Sequence, residues 1–195
     1  DGLKKAQKDR EKEEAEAKEK GKEFKEKKYK EDKKPKPPRY DAEKEVLARA
    51  VDGELPLVVE AHRAAELRAL LEGTESFDRL RLVVAGATEA LAVVEDLAKR
   101  DIPVIVWPAP HGELLSNGQP RPDEYRDADP SLAAQLEAAG VEVLLGSGGA
   151  FPSGTGGLPL MASLAVGYGL DPTAALAALT TRPARVLDVS DSVGT

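Results

Sequence analysis

From Leu55 onward, short apolar runs alternate with stretches whose apolar residues recur every three or four positions. Leu55-Pro-Leu-Val-Val-Glu-Ala61 is a run of the kind found in strands covered on both faces. It leads into His62 to Glu72, where Ala64, Leu67 and Leu71 share one helical face. Arg79 to Ala85 repeats the theme with Leu80, Leu82, Val83 and Val84, and a helix over Thr88 to Arg100 is expected after Gly86. Ile102 to Trp107 reads as a third strand and Val141 to Leu145 as a fourth. Between them, Asp129-Pro130 predicts a helix start, with the aspartate as cap and the proline in the first helical position. That helix passes through Leu132 and Leu136 and stops at Gly140. Two further helices, from about Pro159 to Tyr168 and from Pro172 to Leu179, close the series, the second capped by Asp171. A short amphipathic helix, Asp41 to Val51, precedes the first strand, with Val46, Leu47, Ala50 and Val51 on one side and Gly53 at its end.

Buried strands joined by helices demand a parallel sheet with right-handed crossovers. The expected fold class is therefore α/β, built from parallel (β/α) units. Four such units are half of the eight that close a TIM-like barrel, and half a barrel leaves open sheet edges. The pattern predicts that the missing amino-terminal half lies upstream or in a partner chain, so that any active site is shared. The chain begins at Asp1 without an initiator Met or a signal-like segment, and is expected to be a fragment whose targeting peptide, if any, is lost.

Charge divides the sequence in two. Residues 1–40 hold 16 Lys/Arg and 11 Asp/Glu, whereas residues 41–195 hold 12 and 24. Residues 1–38 are expected to form a Lys/Glu-rich arm, with Glu14/Lys18, Glu16/Lys20 and Glu26/Lys30 in the order that supports a solvated helix. Leu3, Phe24 and Tyr29 form no heptad stripe, so a coiled-coil arm or basic tether stands beside an exposed, frayed helix or disordered segment. Pro35, Pro37 and Pro38 mark a linker. Residues 39–195 are the expected (β/α) domain. Its acidity argues against a nucleic-acid groove. The absence of cysteine rules out disulfides, zinc–thiolate sites and cysteine nucleophiles. No run approaches the roughly eighteen apolar residues of a membrane span, and a soluble protein of unassigned compartment is expected.

Few stretches carry a recognisable chemical motif. Gly146 to Gly157 is glycine-rich, but it contains no Gly-Lys-Ser/Thr and has Phe151 where a dinucleotide loop needs its third glycine. A flexible loop is the better reading, with Ser147 and exposed amides able to touch an anion. No Gly-x-Ser-x-Gly elbow occurs, so serine hydrolase chemistry has no support.

The stretch Ala175-Leu-Ala-Ala-Leu-Thr-Thr-Arg-Pro-Ala-Arg-Val-Leu187, followed by Val193-Gly194, is similar to a segment of the amidohydrolase superfamily, the metal-dependent hydrolases of imidazolonepropionase-like and prolidase-like type. Asp188 stands where those sequences usually carry glycine. Working backwards, Pro56 to His62 resembles their fifth barrel strand, Val83 to Gly86 the sixth, Pro103 to Val106 the seventh and Leu145 to Gly148 the eighth. The resemblance implies the carboxy-terminal half of the barrel, ending before the small β-sandwich. It further implies one or two divalent metals that activate water. The usual ligands on the fifth, sixth and eighth strands would fall on Glu60, Ala85 and Gly148, of which only glutamate has a donor atom. With His62 and His111 the sole histidines, this chain by itself is expected to hold no metal or other cofactor. Zinc or another divalent ion would come only with the missing half.

Glu60, at a strand end, reads as a general base or surviving ligand, or as a carboxylate capping the next helix. His62 reads as its catalytic companion or as a structural donor to Glu60 or a loop carbonyl. Trp107 is a pocket wall or a buried plug, and Gly146, Ser147 and Gly148 belong to a loop over the barrel mouth. His111, near Glu113 and Asn117, reads as a solvated loop histidine. The functional expectation is an amidohydrolase-like hydrolase acting on non-peptide C–N bonds in its full-length form, this chain being a partial barrel that lacks most metal ligands. Two alternatives remain: an inactive amidohydrolase-like binding or partner subunit, and an interaction module working through the charged arm. Expected partners are a small-molecule ligand and the missing half-barrel or a partner chain, with neither nucleic acid nor membrane.

Overall fold

The computed structural model describes Ala15 and residues 41–108, 128–147 and 157–193. The chain divides between Asp1–Tyr40 and Asp41–Thr195, and the architecture below is that of the second unit. Helix α1 (Ala42–Val51) precedes strand β1 (Pro56–Ala61), which is followed by α2 (Ala64–Thr74) and β2 (Arg81–Gly86). A 3-10 turn at Ala90–Val93 runs into α3 (Val94–Lys99), then come β3 (Val104–Val106), α4 (Leu132–Ala138) and β4 (Val143–Leu145). Helices α5 (Leu158–Gly167), α6 (Pro172–Leu179) and α7 (Thr181–Val186) complete the series.

The four strands pair in chain order β1-β2-β3-β4, all parallel. Because side chains alternate along a strand, the sheet has two distinct faces. Leu57, Val59, Ala61, Leu82, Val84, Val104, Val106, Val143 and Leu145 turn toward Leu67, Leu71, Leu97 and Leu136 of the helices and form the core. Val58, Glu60, Val83, Ala85, Ile105 and Leu144 take the opposite face. Register sets Glu60 beside Ala85, Ala85 beside Ile105, and Ile105 beside Leu144. This is the α/β arrangement of parallel units expected from the apolar runs.

Several local expectations need correction. The helix expected over Thr88 to Arg100 is broken: Glu89 and Val93 leave helical geometry, at φ −104° and −136°, and the α-helix starts only at Val94. The cause is tertiary, since Glu89 is tied to the start of α2. Pro130 does not occupy the first helical position, because α4 begins at Leu132 with Ser131 as its cap residue. The Asp129 carboxylate accepts the Ser131 amide at 2.8 Å and so organises the turn before the helix. The second helix begins at Ala64, two residues later than expected.

Long-range ties hold the last helix to the sheet. Arg182 donates to both Glu137 oxygens, at 2.7 and 2.6 Å, and to the Val143 carbonyl at 3.0 Å. Glu137 thereby holds the guanidinium charged above its ordinary range. Arg81, at the start of β2, donates to the Asp188 carboxylate and to the Val186 carbonyl. Asp188 itself sits at φ +56°, a left-handed conformation that aspartate tolerates better than most residues. The backbone that a glycine would favour there is kept, and the carboxylate secures Arg81.

Candidate functional site at the carboxy ends of the strands

Where β1 leaves the sheet, Glu60 and His62 lie two residues apart and so project to the same side. Glu60 stays in solvent, its side chain 63% exposed, whereas the His62 side chain is 6% exposed. His62 Nε2 lies 3.4 Å from Glu60 Oε1 and Nδ1 lies 2.8 Å from the Thr88 hydroxyl. A carboxylate only accepts, so Nε2 carries the proton directed at Glu60, and in the neutral ring the Thr88 hydroxyl donates to Nδ1. If the ring gains a second proton, Nδ1 donates and the hydroxyl accepts. Thr88 therefore satisfies both charge states.

The floor under the imidazole is bare backbone. Gly86 is at φ +83°, and a Cβ there would stand 2.4 Å from His62 Cε1 and 2.6 Å from Nε2. Only glycine lets the ring lie that close. The next residue, Ala87, also has positive φ, +50°, and its amide donates to the Ala61 carbonyl at 2.8 Å. Across β2, Trp107 meets the imidazole with ring centroids 5.4 Å apart at a 54° tilt. Gly146 supports the indole in turn, since a Cβ on it would come within 2.9 Å of Trp107 Cδ1 and Nε1. Four strand ends thus converge: Glu60 and His62 from β1, Thr88 beyond β2, Trp107 after β3 and Gly146 after β4.

The carboxylate expected to cap the following helix is not Glu60. Glu66 accepts the amides of His62 and Arg63 at 2.9 and 3.0 Å, and Glu89 accepts the Ala64 amide at 2.7 Å and an Arg63 guanidinium N–H at 2.9 Å. Both are held below the usual carboxylate range, Glu66 chiefly by the Arg63 amide and Glu89 chiefly by the Ala64 amide. Glu60 is thereby left free of capping and turned to His62.

Of the residues singled out from sequence, the structure gathers Glu60, His62, Trp107 and Gly146. Ser147 follows Gly146 at the same end, half-buried, and Ala85 is buried beside Glu60 in register. Gly148 and His111 lie outside the described residues. Thr88 and the caps Glu66 and Glu89 were missed. Glu66 was legible as a glutamate three residues beyond the helix start; Thr88 and Glu89 act across more than twenty residues and left no local signal. Among the described residues, no group of three or more His, Cys, Asp or Glu side chains is placed to hold a metal ion. A cleft of about 420 Å³ opens at the opposite end of the sheet, lined by Pro56, Phe77, Arg81, Arg100, Ile102 and Val186 among others. Both of its arginines are already spent on carbonyls and carboxylates of the fold, so it is a structural seam.

No family model and no curated protein matches the sequence. Among solved structures, the chain is similar to the crystal structure of an amidohydrolase from Thermotoga maritima MSB8, with 26% identity and a TM-score of 0.67. The fold is amidohydrolase-like. The alignment covers 96% of this chain and 43% of that one, so the chain spans less than half the length of the protein it matches. In this amidohydrolase-like sheet, β1 to β4 are consistent with part of a TIM-like barrel. Among the described residues, no helix is long and apolar enough to cross a membrane.

Proposed function

We propose that this chain is the carboxy-terminal half of an amidohydrolase-like barrel whose mouth binds a small molecule without a catalytic metal of its own. The observation that carries this reading is the state of the donors. At the positions where the resemblance puts metal ligands, Glu60 offers a single exposed carboxylate and Ala85 ends in a methyl group. A catalytic zinc wants three protein ligands and an open position, and these residues do not fit it.

The same reading supplies the covering half. Among the described residues, β1 has a neighbour on one side only, and Val58 on its inner face is 48% exposed. Helix α1, which precedes it in the chain, exposes Val46 and Leu47 at 53% and 56%. An unpaired edge together with exposed apolar side chains calls for further (β/α) units, in the same polypeptide or a partner chain.

A second reading is favoured by the likeness to the Thermotoga enzyme: hydrolysis of non-peptide C–N bonds by the full-length protein, with zinc or another divalent ion held by groups from the other half. Metal analysis of purified full-length protein, together with hydrolysis assays on amides and cyclic imides, separates the two. The first reading expects less than stoichiometric metal, no turnover, and metal content unaffected by Glu60→Gln. Stoichiometric metal with C–N bond cleavage would replace it with the second.

A further inference from the structure

We propose that Arg182 closes the outer edge of β4 to strand pairing, so that the sheet is extended at β1 and a further strand joins β4 only by displacing a guanidinium. The direction of the β4 backbone carries this inference. Along a strand, successive residues send their backbone groups alternately to one side and the other. Val104 donates to the Glu142 carbonyl and Gly146 donates to the Val106 carbonyl, at 2.9 Å each, so residues 142, 144 and 146 face β3. The amides and carbonyls of Val143 and Leu145 therefore point away from β3, along an edge where, among the described residues, no strand pairs. A strand added there would need the Val143 carbonyl as an acceptor. Arg182 Nη1 already donates to it at 3.0 Å.

The guanidinium is held in place. Glu137 of α4 takes both of its Nη groups, at 2.7 and 2.6 Å, and the arginine side chain is 18% exposed. The Glu137 pair by itself would join α7 to α4; the bond to Val143 adds a charged, planar group in the path of an incoming strand. Charged side chains at a sheet edge oppose pairing with another chain, and a hydrogen bond to a charged donor is roughly twice as strong as a neutral one. The β1 edge is different. The Ala87 amide donates to the Ala61 carbonyl, so Ala61, Val59 and Leu57 face β2 while Val58 and Glu60 turn their backbone groups outward. Among the described residues, nothing pairs with those groups. One edge is shut and the other open. This goes beyond the binding reading above: closing a barrel onto β4 would exchange the Arg182 bond for the amide of a strand, whatever the mouth binds.

The test compares the full chain with Arg182→Met and Arg81→Met, by light scattering over a range of concentrations and by amide hydrogen exchange at Leu145. Both variants loosen the end of the domain, since Arg81 holds Val186 and Asp188, but only Arg182→Met bares β4. The expected result is that Arg182→Met forms a species of about twice the parent's mass, in which the Leu145 amide exchanges about tenfold more slowly than in the parent. Arg81→Met should keep the parent's mass, and circular dichroism verifies that each variant is folded. Should Arg182→Met fail to fold, Arg182→Lys takes its place. A single ammonium cannot cover Val143 while bound to both Glu137 oxygens, so this variant should associate at higher concentration. A folded Arg182 variant of parental mass at every concentration, or equal association of the Arg81 variant, would overturn the inference. So would a Leu145 amide protected in the parent as strongly as that of Leu144, which faces β3.

Discussion

Gly86→Ala is the sharpest perturbation of the mouth, because one methyl group meets two independent penalties there. The first is conformational: at φ +83° an L-residue is disfavoured by about 1–2 kcal/mol. The second is steric. The new Cβ would stand 2.4 Å from His62 Cε1, against an optimal carbon–carbon separation of about 3.5–4.0 Å, so the ring must retreat by roughly 1 Å. His62 is buried between Thr88, Glu60 and Trp107 and cannot retreat without losing its Thr88 bond. Leaving a buried polar group unpaired costs about 1–3 kcal/mol. Together these give a loss of about 2–5 kcal/mol, measured by urea unfolding followed through Trp107 emission. The cycle with His62→Ala separates the two parts. In that background the collision is gone, so Gly86→Ala should cost only about 1–2 kcal/mol, a coupling of roughly 2 kcal/mol between the sites. An equal cost in both backgrounds, or a total under about 1 kcal/mol, would refute the placement of the imidazole over the Gly86 backbone.

Other expectations follow from the same contacts. Gly146→Ala should push the indole of Trp107 off its seat, seen as a shifted emission maximum, while leaving the helix content by circular dichroism unchanged. Glu66 is held below its ordinary pKa by amide bonds, so its contribution to stability is present above pH 4.5 and lost as pH falls through the lowered value. Glu66→Gln should therefore flatten the acid limb of a plot of urea midpoint against pH. Arg182→Lys keeps the charge but cannot engage both oxygens of Glu137 and the Val143 carbonyl together, and should destabilise by about 1–2 kcal/mol in chemical denaturation.

The strands were legible because their signal is local. Continuous apolar runs such as Leu80 to Val84 fit parallel strands covered on both faces, and Gly53, Gly86 and Gly140 marked boundaries by needing positive φ. The strand-end position of Glu60 and His62 followed from the same runs. What escaped is what depends on approach between distant segments. Residues 88–100 have good helical periodicity, yet Glu89 is recruited by Ala64 and Arg63 and the first turn tightens. Thr88 is an ordinary threonine in the sequence and becomes the partner of a buried histidine only because β1 and β2 lie side by side. Capping fell to Glu66 and Glu89 for the same reason: the expectation for Glu60 weighed its nearness to the helix start, whereas side-chain direction along the strand turns it to the other face of the sheet.

The serial order of the sheet bears on how the domain is made. Within this sheet each strand pairs with the next one synthesised, so none of these three pairings waits for a distant mate. Contacts of modest sequence separation speed folding, and each finished strand–helix unit is a template for the one after it. The Arg81 clasp on Asp188 and on the Val186 carbonyl joins the second strand to the far end of the domain, so it can close only once the last helix has docked.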